Sequence, residues 1–205
     1  MPAELFAASR ALASGLSALS LPLYDGSKRL VTADAACSLS LEHWNATLHL
    51  LQEGFLPSAA VVHRAQFEAV LRSIWVLYAA MDAQVDKLVA NLDDQAEQGA
   101  KNLPQTAEML AAIEKKGPPQ AFGALAKFKS NSWGALNSYA HAGIHPIRRL
   151  ADGYPGPLID GLARNANGLG VLASMQAAAL SGAQWLQAEI LALADKHAAC
   201  MPPVG

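Results

Sequence analysis

Helical spacing of apolar residues, every three to four positions, recurs along this 205-residue chain, and strand alternation does not set its pattern. Side chains three and four apart share one face of a helix, whereas strand side chains change face at every step. Alanine and leucine dominate and β-branched residues are sparse, which favours helix on intrinsic grounds as well. The pattern predicts an all-α fold: a single-domain helical bundle over 1–205, with its core over about 33–197. A chain of this length can bury a substantial core.

Proline, glycine and capping residues divide the pattern. A first helix is expected over 3–20, ending at Leu21-Pro22, and a second over 33–52, with Thr32 as N-cap and Gly54 as stop. Pro57 opens a third over 57–81. An acidic fourth covers 82–98, and Pro104 starts a fifth that ends near 115. Beyond Gly117-Pro118-Pro119 two short helices are expected, over 120–129 and 132–142, with Gly143 and Pro146 ending the segment and a loop after it. A long helix or helix pair fills 158–197. The second, third and last long helices are the expected core.

The third helix carries Arg64, Glu68 and Arg72 at i, i+4 and i+8, so the three align along one side. Val61, Leu71, Trp75 and Val76 flank them, and Gln66, Ser73, Ala59 and Ala69 lie opposite. The charges are therefore expected to point inward. Buried charge is costly unless paired or used. Glu68 is placed to bridge both arginines, or to leave one free to hold an anion. A guanidinium matches phosphate oxygens in a two-pronged fashion.

A second constellation runs through NSYAHAGIHPIRR, residues 137–149. His141 and His145 are four apart, but Gly143 and Pro146 oppose a regular helix across both, and no acidic residue lies between them. Metal ligation is not expected. His141 is read as closing a helix, after which Gly143 turns the chain and a loop presents Arg148 and Arg149. Arg64, Glu68, Arg72, Asn137, Arg148 and Arg149 make a sensible inventory for gripping a phosphate, with His141 as general acid or base. No cofactor is implied.

The remaining features favour plainer readings. Trp44, Trp75, Trp133 and Trp185 read as core or interface anchors. Lys115, Lys116, Lys127 and Lys129 read as a solvated basic face. Gly168-Leu169-Gly170 lacks the spacing and the preceding strand of a phosphate loop, and no strand-turn-helix elbow surrounds Ser138.

Composition sets the remaining bounds. Charged residues are only 16% against 52% apolar, which points to a homo-oligomer, a dimer in the simplest case, that covers part of its apolar surface. A net charge of -2 gives no support to general nucleic-acid binding. Cys37 and Cys200 lie too far apart in sequence to suggest a disulfide framework or zinc pattern, so a reducing, cytoplasmic location is expected. The opening segment has Glu4 before its apolar part and no basic start, so it reads as an amphipathic helix rather than a signal peptide. Residues 165–188 carry no charge, but Ser174, Gln176, Ser181 and Gln184 are distributed through them. A core or interface helix is expected there, not a membrane span.

Arg64, Glu68, Arg72 and Trp75, followed by His141, Gly143, Arg148 and Arg149, resemble an uncharacterised family of small bacterial helical proteins. In that family an Arg-x-x-x-Glu-x-x-x-Arg-x-x-Trp helix precedes a His-x-Gly segment ending in paired arginines. The resemblance covers about 57–154 and implies no assigned activity. The bundle also distantly resembles the HEPN superfamily, many of whose members are dimeric, metal-independent ribonucleases. Their signature is an arginine and a later histidine with four to six residues between them. No arginine of this chain has that spacing, and here His141 precedes Arg148. Three functions follow as expectations. One is a pocket for a nucleotide, a phosphate or an RNA backbone. The second is a structural or protein-interaction bundle locked by a salt-bridge ladder. The third is a metal-independent phosphodiesterase using His141.

Overall fold

A computed structural model describes residues 3–203, the side chains of 95, 96 and 100 excepted. Ten helices are described: α1 (Ala3–Ser17), α2 (Lys28–Gln52), α3 (Leu56–Tyr78), α4 (Asp82–Leu88), α5 (Asp94–Ala100), α6 (Thr106–Lys116), α7 (Pro119–Ala140), α8 (Ile144–Asp152), α9 (Gly156–Leu180) and α10 (Leu186–Lys196). A 3-10 turn follows at Ala198–Cys200. No strand occurs among the described residues. The fold is all-α, as the periodicity predicts.

The second, third and last long helices do form the centre: α2, α3 and α9 pack on one another. α6 and α7 cover α3, while α1 and α10 lie on α9. Two apolar clusters result. Phe67, Val70, Ile74 and Trp75 of α3 meet Met109, Ile113 and Leu125 in one. Leu12, Trp44, Leu51, Ala163 and Ile190 build the other. α9 contributes to both. Its uncharged stretch is mostly buried among its neighbours, and no described helix is long and apolar enough to cross a membrane.

Polar residues pin the central helices. Ser73 Oγ donates to the Ala33 carbonyl at 2.7 Å, and Gln176 Nε2 donates to Ser73 Oγ at 3.2 Å. Trp44 Nε1 donates to Asn167 Oδ1 at 2.9 Å, while Asn167 Nδ2 reaches Ser9 Oγ and the Cys200 carbonyl, both at 2.8 Å. Buried polar groups stay only when their hydrogen bonds are made, so this network fixes α1, α2, α9 and the C-terminal turn in one arrangement.

Several boundaries differ from expectation. α2 begins at Lys28, not after Thr32. Ser27 is its N-cap and accepts from the Leu30 N–H, while Thr32 Oγ1 bonds back to the Lys28 carbonyl. The acidic fourth helix is two short ones, α4 and α5. The two helices expected over 120–142 are one continuous α7, since Ser130, Asn131 and Ser132 include no breaker and both Phe128 and Leu136 must reach the core. The expected loop after Gly143 is a helix, α8, with Pro146 in its first turn, where its missing N–H costs nothing. The last long segment is a pair, α9 and α10, separated at Gly182, whose φ is +73°.

A candidate anion site along the seam of α3 and α7

α3 and α7 run antiparallel. His63 and Phe67 meet Phe128, Phe67 also meets Trp133, and Arg64 meets Trp133 and Asn137. From Phe67 to Arg64 the contacts step forward along α7 from Phe128 to Asn137, and Ala60 and Tyr139 line one cleft beyond them. Phe67 stacks on Phe128 with centroids 4.7 Å apart and takes the Trp133 ring at 5.7 Å. This aromatic row is the floor of the seam.

Arg64 sits on that floor. Its guanidinium carbon is 4.8 Å from the Trp133 ring centroid, a cation–π distance. Nε donates to Asn137 Oδ1 at 2.9 Å, and Nη2 lies 3.1 Å from Glu68 Oε1. The side chains of Arg64 and Glu68 are 24% and 33% exposed. The charged row therefore lies at the edge of the buried face, not inside it. The buried side of α3 is the one with Ala59, Gln66, Ala69 and Ser73, which expectation had placed outward. Those positions are dry because their polar members bond to neighbouring backbone and side chains.

Arg72, one turn beyond Glu68, is half-buried. It makes no hydrogen bond or ion pair among the described residues; burial pushes its pKa down, while Glu68 acts in the opposite direction. Lys129, half-buried, stands one turn before Trp133 on the same row of α7. The seam thus carries the row Arg64, Glu68, Arg72 on one helix and the row Lys129, Trp133, Asn137 on the other. Sequence reading missed Trp133 and Lys129 as site residues. Their i, i+4, i+8 register was legible only on a continuous α7, and the expected break near 130 hid it.

The second constellation lies at the far end of this seam. His141 is the C-cap of α7, one turn past Asn137, with an exposed side chain and its backbone N–H on the Asn137 carbonyl at 3.1 Å. Ala142 has φ +49°, Ala142 N–H bonds to the Tyr139 carbonyl, and Gly143 N–H bonds to the Ser138 carbonyl at 2.7 Å. That pair of bonds is a Schellman motif. A Cβ on Gly143 would fall 2.6 Å from Ser138 Oγ, so glycine is required, and Ser138 Oγ caps α8 by accepting from the His145 N–H at 3.0 Å.

Arg148 and Arg149 are consequently helical. Arg148 is exposed and paired with Asp152 at 2.8 Å. Arg149 is half-buried and favours the ionised form of Tyr139, yet burial and Tyr154 dominate and push that phenol up to about 12. The structure brings Arg64, Glu68 and Asn137 together, with Arg72 beside them and His141 one turn away. Arg148 is engaged elsewhere.

Residues 37–203 match DUF6988, a family of unknown function, and the chain belongs to that family. No curated protein and no solved structure matches it.

Proposed function

We propose that the α3–α7 seam binds a phosphate-bearing ligand, a nucleotide or an RNA backbone, with Arg72 as the principal contact and Lys129 and Arg64 as the further cations of the two rows. The carrying observation is the half-buried Arg72 guanidinium, which has no bonded partner among the described residues while Arg64 occupies Glu68 Oε1. A guanidinium held partly out of water and left unpaired is set to gain from a two-pronged oxyanion. Trp133, Asn137 and Glu68 hold Arg64 in place, which supports a preformed surface. His141 extends the seam as a further hydrogen-bonding group.

A second reading is favoured by the Arg64–Glu68–Asn137 contacts themselves: a ladder that locks α3 to α7 in a structural or protein-interaction bundle. For phosphodiester cleavage the geometry offers an exposed His141 side chain with no arginine hydrogen-bonded to it among the described residues. Self-association belongs to the same proposal, because α8 shows Ile144, Ile147 and Leu150 to solvent. The two free, buried cysteines fit a reducing, cytoplasmic setting.

The experiment is thermal stabilisation by inorganic phosphate, pyrophosphate, ATP and a short RNA, in wild type and Arg72→Ala. Stabilisation in wild type of about 2.7 kcal/mol at a hundredfold excess over Kd, lost in the variant, is expected. The unliganded variant should melt within a few degrees of wild type. No response to any of these ligands, with a sharply lower melting point for Arg64→Ala, which removes the Asn137 and Glu68 contacts, would favour the ladder instead.

A further inference from the structure

A cavity of about 300 Å³ opens between α1, α2, α9 and α10. Its size falls at the lower end of small-molecule sites, with room for roughly ten waters at the liquid's volume per molecule. The space follows from the residues around it. α9 presents Ser174, Ala177 and Ala178 to it, all small. Trp44, the one large ring in the wall, cannot swing in to fill it. Its Nε1 is held by Asn167, and its ring lies so close to Gly170 that a Cβ there would come within 2.4 Å.

The lining is sorted by polarity. Leu16, Leu41, Trp44, Leu186 and Ile190 supply the apolar walls. Ser17, Ser20 and Asn45, all exposed, stand at the rim. Asn45 gives one amide N–H to the Leu41 carbonyl, which leaves its Oδ1 open, and Ser174 donates to the Gly170 carbonyl while keeping a lone pair toward the space. Among the described residues, no Asp, Glu, Lys, Arg or His lines the cavity.

The cavity roof is the α1–α2 connection. Leu19, Ser20 and Leu21 border the space. The connection returns to the bundle through the Tyr24 N–H on the Leu180 carbonyl at 3.0 Å, with the Tyr24 ring against Gly182. Between the end of α1 and that anchor the roof has no tertiary backbone hydrogen bond among the described residues. It is the segment of the wall best able to part for a ligand.

From this arrangement we infer that the cavity is a binding site for a small uncharged molecule, apolar in body with a hydroxyl or carbonyl group directed to the serine and asparagine rim. Charge complementarity selects the class, because an ion placed here would lose water and gain no counter-charge. An apolar body displaces water from the leucine, isoleucine and tryptophan side chains, while the ligand's polar group takes over the hydrogen bonds of the serine and asparagine rim.

N-phenyl-1-naphthylamine, an uncharged fluorophore, tests the site on the full chain. The expected result is saturable one-site emission enhancement, with excitation transferred from tryptophan because Trp44 forms the wall. Ala177→Phe, which fills the space, should weaken binding at least about tenfold, and Ser20→Trp at the exposed rim should do the same. The rim variant carries the test if Ala177→Phe does not fold. Arg72→Ala should bind the dye as wild type does, which keeps this outcome separate from that of the anion seam. Non-saturable binding to wild type, or equal binding by a folded Ala177→Phe and by Ser20→Trp, overturns the inference. Tighter binding of the anionic 8-anilinonaphthalene-1-sulfonate overturns the assignment to uncharged ligands.

Discussion

Single residues hold the corner between α7 and α8, and one of them is poorly suited to its backbone. Ala142 occupies the left-handed position of the Schellman turn, φ +49°, where a Cβ costs about 1–2 kcal/mol. Glycine is the usual occupant. Ala142→Gly is expected to raise stability by about 1 kcal/mol, the remainder being offset by the added freedom of the unfolded chain. Urea unfolding measures this directly, and a destabilised variant would contradict the geometry. His63 makes the second residue-scale prediction. It is fully buried, with Nδ1 2.9 Å from Gln66 Oε1 and Nε2 without a hydrogen-bond partner among the described residues. Because Gln66 Nε2 already donates to the Ala166 carbonyl, Gln66 Oε1 accepts and Nδ1 carries the proton. Burial outweighs the Gln66 bond and lowers the imidazole pKa from 6.5 to about 4. The folded state therefore binds fewer protons than the unfolded one between those values. Stability from this group is complete above pH 6.5 and is lost as pH falls toward 4, by roughly 3 kcal/mol in all. Comparing unfolding free energies at pH 7 and pH 4.5 should show most of that loss in wild type and much less in His63→Gln. Equal acid sensitivity in the two would mean that His63 charges without cost.

At the scale of elements, α8 stands apart. It packs on α7, none of its residues is buried, and Ile144, Ile147 and Leu150 are 70%, 62% and 77% exposed. The three residues are spaced symmetrically about Ile147. Two copies of α8 crossing antiparallel would set Ile144 against the partner copy's Leu150 and the two Ile147 side chains against each other. Such self-complementarity is what a two-fold interface demands. Ile147→Asp is expected to shift the protein from dimer to monomer in light scattering at micromolar concentration, with its helical signal unchanged. A monomeric wild type would remove this proposal and leave the anion seam untouched. The same helix shows why sequence reading went only so far. The periodicity of α2, α3 and α9 was legible because long apolar faces leave little choice of state. In the sequence Gly143 and Pro146 look like terminators, yet together they start a helix: glycine permits the approach to Ser138, and proline fits a first turn. The row Arg64, Glu68, Arg72 was legible as spacing. Its depth was not, because the burial of Gln66 and Ser73 depends on hydrogen-bond partners a hundred or more residues away or on a neighbouring helix. Nor was the meeting of Arg64 with Asn137, which depends on the antiparallel register of α3 and α7.

For the whole molecule the question is whether two apolar clusters make two folding units or one. One cluster gathers α3, α6 and α7, the other α1 and α10, and a two-step unfolding would be natural if a flexible strand joined them. The join is instead α2 and α9, continuous helices with buried residues in both clusters. Leu41 and Leu162 pack against each cluster. Asn167 and Gly170, within one turn of α9, hold Trp44 in the second cluster, while Leu169 and Ala173 on the same turn face the first. Disrupting α9 there must disturb both. We therefore propose one cooperative domain. Calorimetry should give a single transition whose calorimetric and van't Hoff enthalpies agree. Gly170→Ala, whose Cβ would fall 2.4 Å from the Trp44 ring, provides the sharper form of the test. Overpacking of this kind costs about 1–3 kcal/mol or more, which corresponds to a fall of at least roughly 2–4 °C per kcal/mol in a chain of this size. If the molecule is one unit, the whole transition moves down together, with no shoulder left at the original temperature. A split endotherm, with only one component displaced, would show that the α3–α6–α7 half unfolds without the other and that α9 does not couple them.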